Sequence, residues 1–165
     1  MKTKSVLIFL ALFITSCLPV VAVSLPAIFG DHMVLQRGQA NPVWGKASPG
    51  ETITVRIDGQ DHRATVGKDG RWRVELDAMP AGGPHVLEVS GRETLQFEDV
   101  LVGEVWLCSG QSNMQWAVSN SGEADLEIVS AGEPSIRLIT VPNKGSQEPL
   151  DDFKGKWAVC SPDSV

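Results

Sequence analysis

The sequence predicts a β-sandwich followed by the beginning of an α/β layer, and three observations indicate this fold class. Short apolar or alternating runs recur between residues 33 and 97, turn signals separate them, and longer buried-type runs follow Gly103. Regularly spaced short strands with period-two alternation are typical of an antiparallel sandwich. A strand, a helix and a second strand in succession are typical of an α/β layer.

Residues 1–22 have the pattern of a secretory signal. Two lysines precede a nearly uncharged apolar stretch, and Pro19 and several small residues stand near its end. Two processing sites remain open. Residues 20–22 resemble an ordinary cleavage site, whereas residues 14–17 resemble a bacterial lipoprotein box that would lipidate Cys17. We expect export to the periplasm or the extracellular space, with a membrane anchor only if Cys17 carries lipid.

Composition narrows the classes of function. Residues 23–165 amount to about 143 positions, the size of one domain and short of two. The net charge is −6, and no basic run lies beyond the first four residues, so we predict no nucleic-acid partner. Cys108 and Cys160 either pair, as an exported compartment allows, or remain free thiols. No metal-ligand spacing occurs, so we predict neither a metal nor another cofactor. Oligomeric state stays open.

The β domain is predicted to cover residues 23–102. In residues 52–57, for example, Ile53, Val55 and Ile57 alternate with polar side chains and therefore share one face of a strand. Pairs and triplets rich in glycine, proline, aspartate and serine separate the runs, each a turn signal. The seven predicted strands are residues 33–35, 42–44, 52–57, 62–66, 72–76, 85–89 and 94–97.

Residues 103–165 are predicted to form the truncated second domain. Residues 104–108 make a mostly apolar run suited to a strand buried on both faces. Residues 120–123 can cap a helix, because an amide or hydroxyl is followed three positions later by glutamate. Residues 136–141 form another buried-type strand. An α/β layer needs more strands than these, so we interpret the chain as a fragment.

The densest polar chemistry lies in residues 110–116, where Ser112 stands between Gln111 and Asn113 directly after the apolar run. A serine nucleophile needs exposure, oxyanion donors and a base. The end of a strand supplies the first, and turn amides can supply part of the second. The segment does not match Gly-x-Ser-x-Gly, because Met114 stands where that motif needs glycine. Spacing alone favours a structural role in which Ser112 and Asn113 cap a turn.

A base for Ser112 is harder to find. The three histidines of the chain all precede it, within the predicted β domain. His62 and His85 stand on strand-like runs, where a structural role is the ordinary outcome. His32, beside Asp31 in a loop, forms the one pair of interest, but an Asp-His dipeptide does not establish the mutual geometry that catalysis requires.

Residues 103–116, GEVWLCSGQSNMQW, resemble the nucleophile block of the sialate O-acetylesterase family within the SGNH (GDSL-like) hydrolases. Residues 25–36, LPAIFGDHMVLQ, resemble the start of that family, and residues 155–162, GKWAVCSP, resemble a segment well before its catalytic end. The resemblance covers essentially the whole mature chain but only the N-terminal part of the family's usual length. It implies that residues 103–165 begin an SGNH-like, flavodoxin-like three-layer hydrolase domain.

The resemblance also implies a function, that of a secreted serine esterase removing O-acetyl groups from sialic acid or related acetylated carbohydrates. Ser112 would be the catalytic nucleophile, and its backbone amide would contribute to the oxyanion hole. Gln111, Asn113 and Trp116 are expected to contact or shape the substrate pocket. The His and Asp that complete the family's site lie in later segments, so this fragment alone is expected to show little or no activity.

A second interpretation is a non-catalytic β-sandwich module that binds carbohydrate or packs against a partner. Its five tryptophans could stack on sugar rings, although tryptophans on alternating strands usually belong to the core. Trp106, in the predicted buried strand, is expected to pack, and Trp116 is the one expected near a substrate. A coding sequence that continues into an α/β region ending in Asp-x-x-His would favour the enzyme.

Overall fold

The computed structural model describes residues 21–165, so the predicted leader lies outside the described residues apart from Val21 and Ala22. Within this range the protein is mostly sheet, with nine strands, two 3-10 helices at Ser112–Gln115 and Val118–Asn120, and one α-helix, α1 (Ala124–Ser130). The strands are β1 (Val34–Gln36), β2 (Asn41–Lys46), β3 (Thr52–Ile57), β4 (Gln60–Thr65), β5 (Arg71–Leu76), β6 (Gly82–Ser90), β7 (Thr94–Gly103), β8 (Arg137–Leu138) and β9 (Ala158–Val159).

The strands form three sheets in the described part of the chain. A five-stranded sheet has the order β1-β7-β6-β3-β4, β2 pairs with β5, and β8 pairs with β9. The first seven strands confirm the seven predicted from the sequence, because local alternation and turn signals define them. Strand β7 is longer than predicted and continues to Gly103, directly before the serine segment.

One pairing differs from the predicted all-antiparallel arrangement. Strand β1 runs parallel to β7, with Val34 opposite Leu101 and Gln36 opposite Gly103. Parallel neighbours cannot be joined by a short hairpin and need a long crossover connection. Here the five intervening strands provide that connection, so the sheet is mixed and the antiparallel prediction is wrong at this edge.

Side chains from both larger sheets form one hydrophobic core. The small sheet contributes Val43 and Leu76, and the large sheet contributes Ile53, Val55 and Ile57, all with no more than 2% of their surface exposed. The three β3 residues are those that period-two alternation places on one face. Each such side chain stabilises the fold by about 1.5–3 kcal/mol relative to an exposed position.

The segment before β1 completes the edge of this core. Ser24 exchanges two backbone hydrogen bonds with Lys46, each 2.9 Å long, and Val23 is buried. Gly45 lies beneath this pairing, and a Cβ there would contact the carbonyl oxygen of Ser24 and approach the Trp72 ring at 2.9 Å. The close approach of the two backbones therefore requires glycine at position 45.

Residues 104–165 contain little regular structure. The predicted helix is confirmed as α1, but the predicted capping box is wrong: Glu123 occupies the N-cap position in the left-handed region, with φ of 56° and no side-chain capping bond. The residues meant to cap α1 belong instead to the preceding 3-10 turn, since the Ser121 N–H donates to the Val118 carbonyl. The strand predicted at 136–141 is reduced to β8.

Candidate active site

The serine segment leaves the β region through a cluster of hydrogen bonds at the ends of β1 and β7. The Gln36 side chain donates to Glu104 Oε2 at 2.9 Å and accepts from the Val105 N–H at 2.8 Å. Arg37 Nε donates to Glu104 Oε1 at 2.6 Å. This cluster, the exit clamp (Gln36, Arg37, Glu104, Val105), also lowers the pKa of Glu104, because Gln36 and Arg37 both donate to its carboxylate. It fixes where the chain departs from the sheet.

Ser112 opens the first 3-10 helix beyond the exit clamp. Two backbone bonds close this turn, from the Met114 N–H to the Gln111 carbonyl at 2.9 Å and from the Trp116 N–H to the Asn113 carbonyl at 3.2 Å. Ser112 is exposed, and among residues 21–165 no side chain hydrogen-bonds to its hydroxyl. The turn therefore presents the hydroxyl outward, as a nucleophile requires.

The other predicted site residues lie beside Ser112 in the same turn. Gln111 and Asn113 are exposed and hold the turn through their carbonyl groups. Trp116 is 64% exposed, and its indole N–H donates to the Asn120 carbonyl at 3.1 Å. That bond fixes one edge of the ring and leaves most of its surface open.

The strand predicted immediately before the serine is wrong. Residues 104–108 form no strand and all are exposed. Trp106, predicted to pack in a core, is 83% exposed. An apolar run becomes a buried strand only when neighbouring strands pair with it and other layers cover it. No described residue does either for this segment.

The three histidines have partners other than Ser112. His32 Nδ1 lies 2.7 Å from Asp99 Oδ2, so its partner is not the adjacent Asp31, whose carboxylate accepts from the Glu98 N–H at 2.8 Å. His62 and His85 belong to the β region, and the listing of their contacts is short: His62 Nε2 lies 3.1 Å from Gln60 Oε1, and His85 Nδ1 lies 3.5 Å from Asp58 Oδ1.

His32 and Asp99 form a larger cluster with Arg137. The guanidinium of Arg137 donates to Asp99 Oδ2 at 2.6 Å and to Asp99 Oδ1 at 3.1 Å. The Arg137 side chain is only 5% exposed. Hydrogen bonds from Arg137 and then His32 lower the pKa of Asp99 to about 2. This cluster, the His32–Asp99–Arg137 junction, holds β8 against the β region.

A groove of about 500 Å³ lies beside this junction. One wall is the loop that contains Phe29, Asp31 and His32, and the other is the segment that contains Lys156 and Trp157. Trp157 is buried, and its indole N–H donates to the Ile28 carbonyl at 2.8 Å. Sequence reasoning missed both the groove and the junction, because their two sides are far apart along the chain.

Three further observations concern the predicted chemistry. Cys108 is exposed and Cys160 is buried, and both are free thiols. Residues 21–165 contain no group of three or more His, Cys, Asp or Glu side chains placed to hold a metal ion. In that same part of the chain, no helix has the length and apolar character needed to cross a membrane.

Comparison with known proteins shows where similar segments occur. No family model matches the chain. It is 41% identical over 138 residues to mouse sialate O-acetylesterase, covering 74% of this chain and 25% of that protein. It is 39% identical over 138 residues to the human sialate O-acetylesterase, covering 74% and 26%. The chain thus spans about a quarter of the length of these curated relatives.

A solved structure matches over a larger share of the chain. The crystal structure of a carbohydrate acetylesterase from Xanthomonas citri superposes with a TM-score of 0.84 and 38% identity, covering 87% of this chain and 34% of that one. The fold and the serine turn together therefore place the chain in the class of carbohydrate esterase sequences. Within that class, the chain belongs to the sialate O-acetylesterase family.

Proposed function

We propose that the chain is the serine-bearing part of a carbohydrate O-acetylesterase, a carboxylic ester hydrolase, with Ser112 as its nucleophile. The observation that carries this proposal is family membership combined with the outward-facing Ser112 at the start of a fixed turn. A residue that only capped a turn would use its hydroxyl as a hydrogen-bond acceptor. Ser112 does not do so among the described residues.

In the proposed reaction, the Ser112 hydroxyl oxygen attacks the acetyl carbonyl carbon. The sugar oxygen leaves and takes a proton, and the acetyl group remains on Ser112 as an ester. Water then hydrolyses this ester to acetate and restores the serine. Because Ser112 opens a 3-10 turn, its backbone N–H lacks an intrahelical acceptor and is available to the oxyanion. The base must come from residues other than the three histidines in their present positions.

The names of the related proteins guide the choice of substrate. Since the mammalian relatives are sialate O-acetylesterases and the Xanthomonas citri protein is a carbohydrate acetylesterase, we propose an O-acetylated sugar. Trp116 supplies an open aromatic surface next to Ser112, and such surfaces are suited to sugar rings. Gln111 and Asn113 would donate to, or accept from, hydroxyl groups of the sugar.

The proposal includes the architecture and the location of the enzyme. The shared core of the two larger sheets supports a β-sandwich, and residues after Gly103 would begin an SGNH-like hydrolase domain. The apolar stretch after the two N-terminal lysines supports export.

An active-site graft tests the proposal. Residues 21–165 replace the matching third of the Xanthomonas citri acetylesterase, and hydrolysis of acetylated sugars is measured. We expect Ser112→Ala to lower the activity by about 10³-fold or more. The matched control is Ser109→Ala, which changes another exposed serine of the same segment. Equal activity of the two variants would falsify the nucleophile assignment. The full chain alone is expected to show little or no turnover.

The second candidate is a non-catalytic carbohydrate-binding or interaction module. It is favoured by one observation, that no described histidine contacts Ser112. Titration of the full chain with acetylated and deacetylated sugars separates the two candidates. Binding that Trp116→Ala abolishes and Ser112→Ala leaves intact, combined with an inactive graft, would establish the module.

A further inference from the structure

The segment after Gly103 exposes an extensive apolar surface. Its members are large hydrophobic side chains in the serine turn, in the run before it and on α1. We name this surface the apolar face and define it as Trp106, Leu107, Met114, Trp116, Leu126 and Val129. Trp106, Leu107 and Val129 are 83%, 89% and 78% exposed. Exposed apolar patches of this kind mark interaction sites on soluble proteins.

The elements that carry the apolar face lie next to one another. The Trp116 indole N–H donates to the Asn120 carbonyl, which joins the serine turn to the second 3-10 helix, and that helix contacts α1. On α1, Leu126 and Val129 are three positions apart and therefore share one side of the helix. Helix α1 buries no residue, although most of the stability of a protein helix comes from packing an apolar side.

Charge and burial elsewhere show that this exposure is confined to one part of the molecule. The β region encloses its own core, with Ile53, Leu87 and Val100 completely buried. In contrast, no residue from 104 to 150 is buried. The apolar face is therefore not a surplus of the β core but a separate surface that has no partner among residues 21–165.

We propose that the apolar face is the docking surface for the rest of an acetylesterase hydrolase domain, the part of the relatives that this chain does not match. The identity of this occupant rests on the proposed function. Its size follows from the comparisons, since the chain corresponds to 34% of the Xanthomonas citri chain and about a quarter of the mammalian relatives. Covering the face would supply the missing layer beside residues 104–108 and would dock new residues next to Ser112.

Thermal unfolding of the graft described above tests the docking without measuring activity. The variants Trp106→Ser and Val129→Ser change the face, and Val86→Ser is the matched control, because Val86 is a half-exposed hydrophobic residue on β6. In the graft, each face variant is expected to lower the unfolding midpoint by about 5 °C or more, and the control by less than about 2 °C. In the full chain alone, none of the three should shift the midpoint.

Several results would overturn the docking proposal. Equal shifts for the face variants and for Val86→Ser would do so, as would a graft that fails to fold while the parent acetylesterase folds. A full chain that sediments as a dimer, and becomes monomeric in Trp106→Ser, would identify a second copy as the occupant instead. Ser112→Ala separates this proposal from the proposed function, because it should abolish activity while leaving the unfolding midpoint of the graft unchanged.

Discussion

Arg137 binds Asp99 through both guanidinium prongs, at 2.6 Å and 3.1 Å, and His32 contacts the same carboxylate at 2.7 Å. The arginine lies in β8 and the aspartate in β7, so this ion pair connects the segment after Gly103 to the β region. Arg137 also approaches the carbonyl groups of His32 and Asp99 at 3.5 Å and 3.4 Å. Few other polar contacts join the two parts so directly.

Replacing this arginine should loosen the attachment of β8. Lysine keeps the charge but cannot form the two parallel bonds, so we expect Arg137→Lys to lower the free energy of unfolding by about 1–3 kcal/mol. Chemical denaturation of the full chain measures this change. The control is Arg71→Lys, which alters an exposed pair with Asp151 and should leave stability unchanged. Similar losses in the two variants would argue against a special role for the junction.

The low pKa of Asp99 predicts a dependence of stability on pH. A carboxyl whose pKa is about 2 in the folded protein, below its usual value of 3.8, stabilises the fold above the usual value. That stabilisation is lost as the pH falls from about 4 towards 2. We expect the free energy of unfolding to fall less steeply in Asp99→Asn than in the wild-type chain over this range. Parallel curves would mean that other carboxylates account for the acid sensitivity.

Trp157 and Trp106 provide a matched pair of tryptophans. Trp157 is 8% exposed and donates to the Ile28 carbonyl, so Trp157→Ala should cost about 3–5 kcal/mol. Trp106→Ala should leave the stability of the full chain unchanged, because that ring is exposed. Thermal or urea unfolding compares the two variants. A large loss for Trp106→Ala would show that its ring packs in solution.

The first described residues bear on how an exported chain would be processed. The Val21 N–H donates to Ser48 Oγ at 3.0 Å, and Ser48 Oγ donates back to the Val21 carbonyl at 3.2 Å. Cleavage after Ala22 would remove these bonds and place a charged amine on Val23, which is buried. We therefore expect the mature chain to retain Val21. The intact mass of the exported protein checks this, and a mature chain beginning at Val23 would contradict it.

Local signals were sufficient for the β region but not for the site. The alternation of Ile53, Val55 and Ile57 predicts a buried face whatever lies elsewhere in the chain. The partner of His32 could not be predicted in this way, since Asp99 is 67 positions away and the adjacent Asp31 is used by a backbone N–H. His32 and Asp99 both adopt left-handed backbone conformations, with φ of 67° and 54°, which direct their side chains in ways that propensity does not reveal.

Trp106 illustrates a different limit. The apolar composition of residues 104–108 indicates that the segment favours burial, but composition does not specify what buries it. The same limit applies to Ser112, whose surroundings are shaped by the turn in which it lies and not by the expected strand. The serine itself could be identified from the sequence because its flanking residues form a long and specific block.

The exit clamp gives the first strand an influence on the serine that distance would not suggest. Gln36 bonds to both Glu104 and Val105, and the serine segment extends outward from that point like an arm from a pivot. A slight tilt at the pivot grows into a larger displacement at the far end of the arm. Substitutions at Gln36 would therefore imitate defects in the nucleophile itself, slowing turnover while the serine turn and its chemistry stay intact.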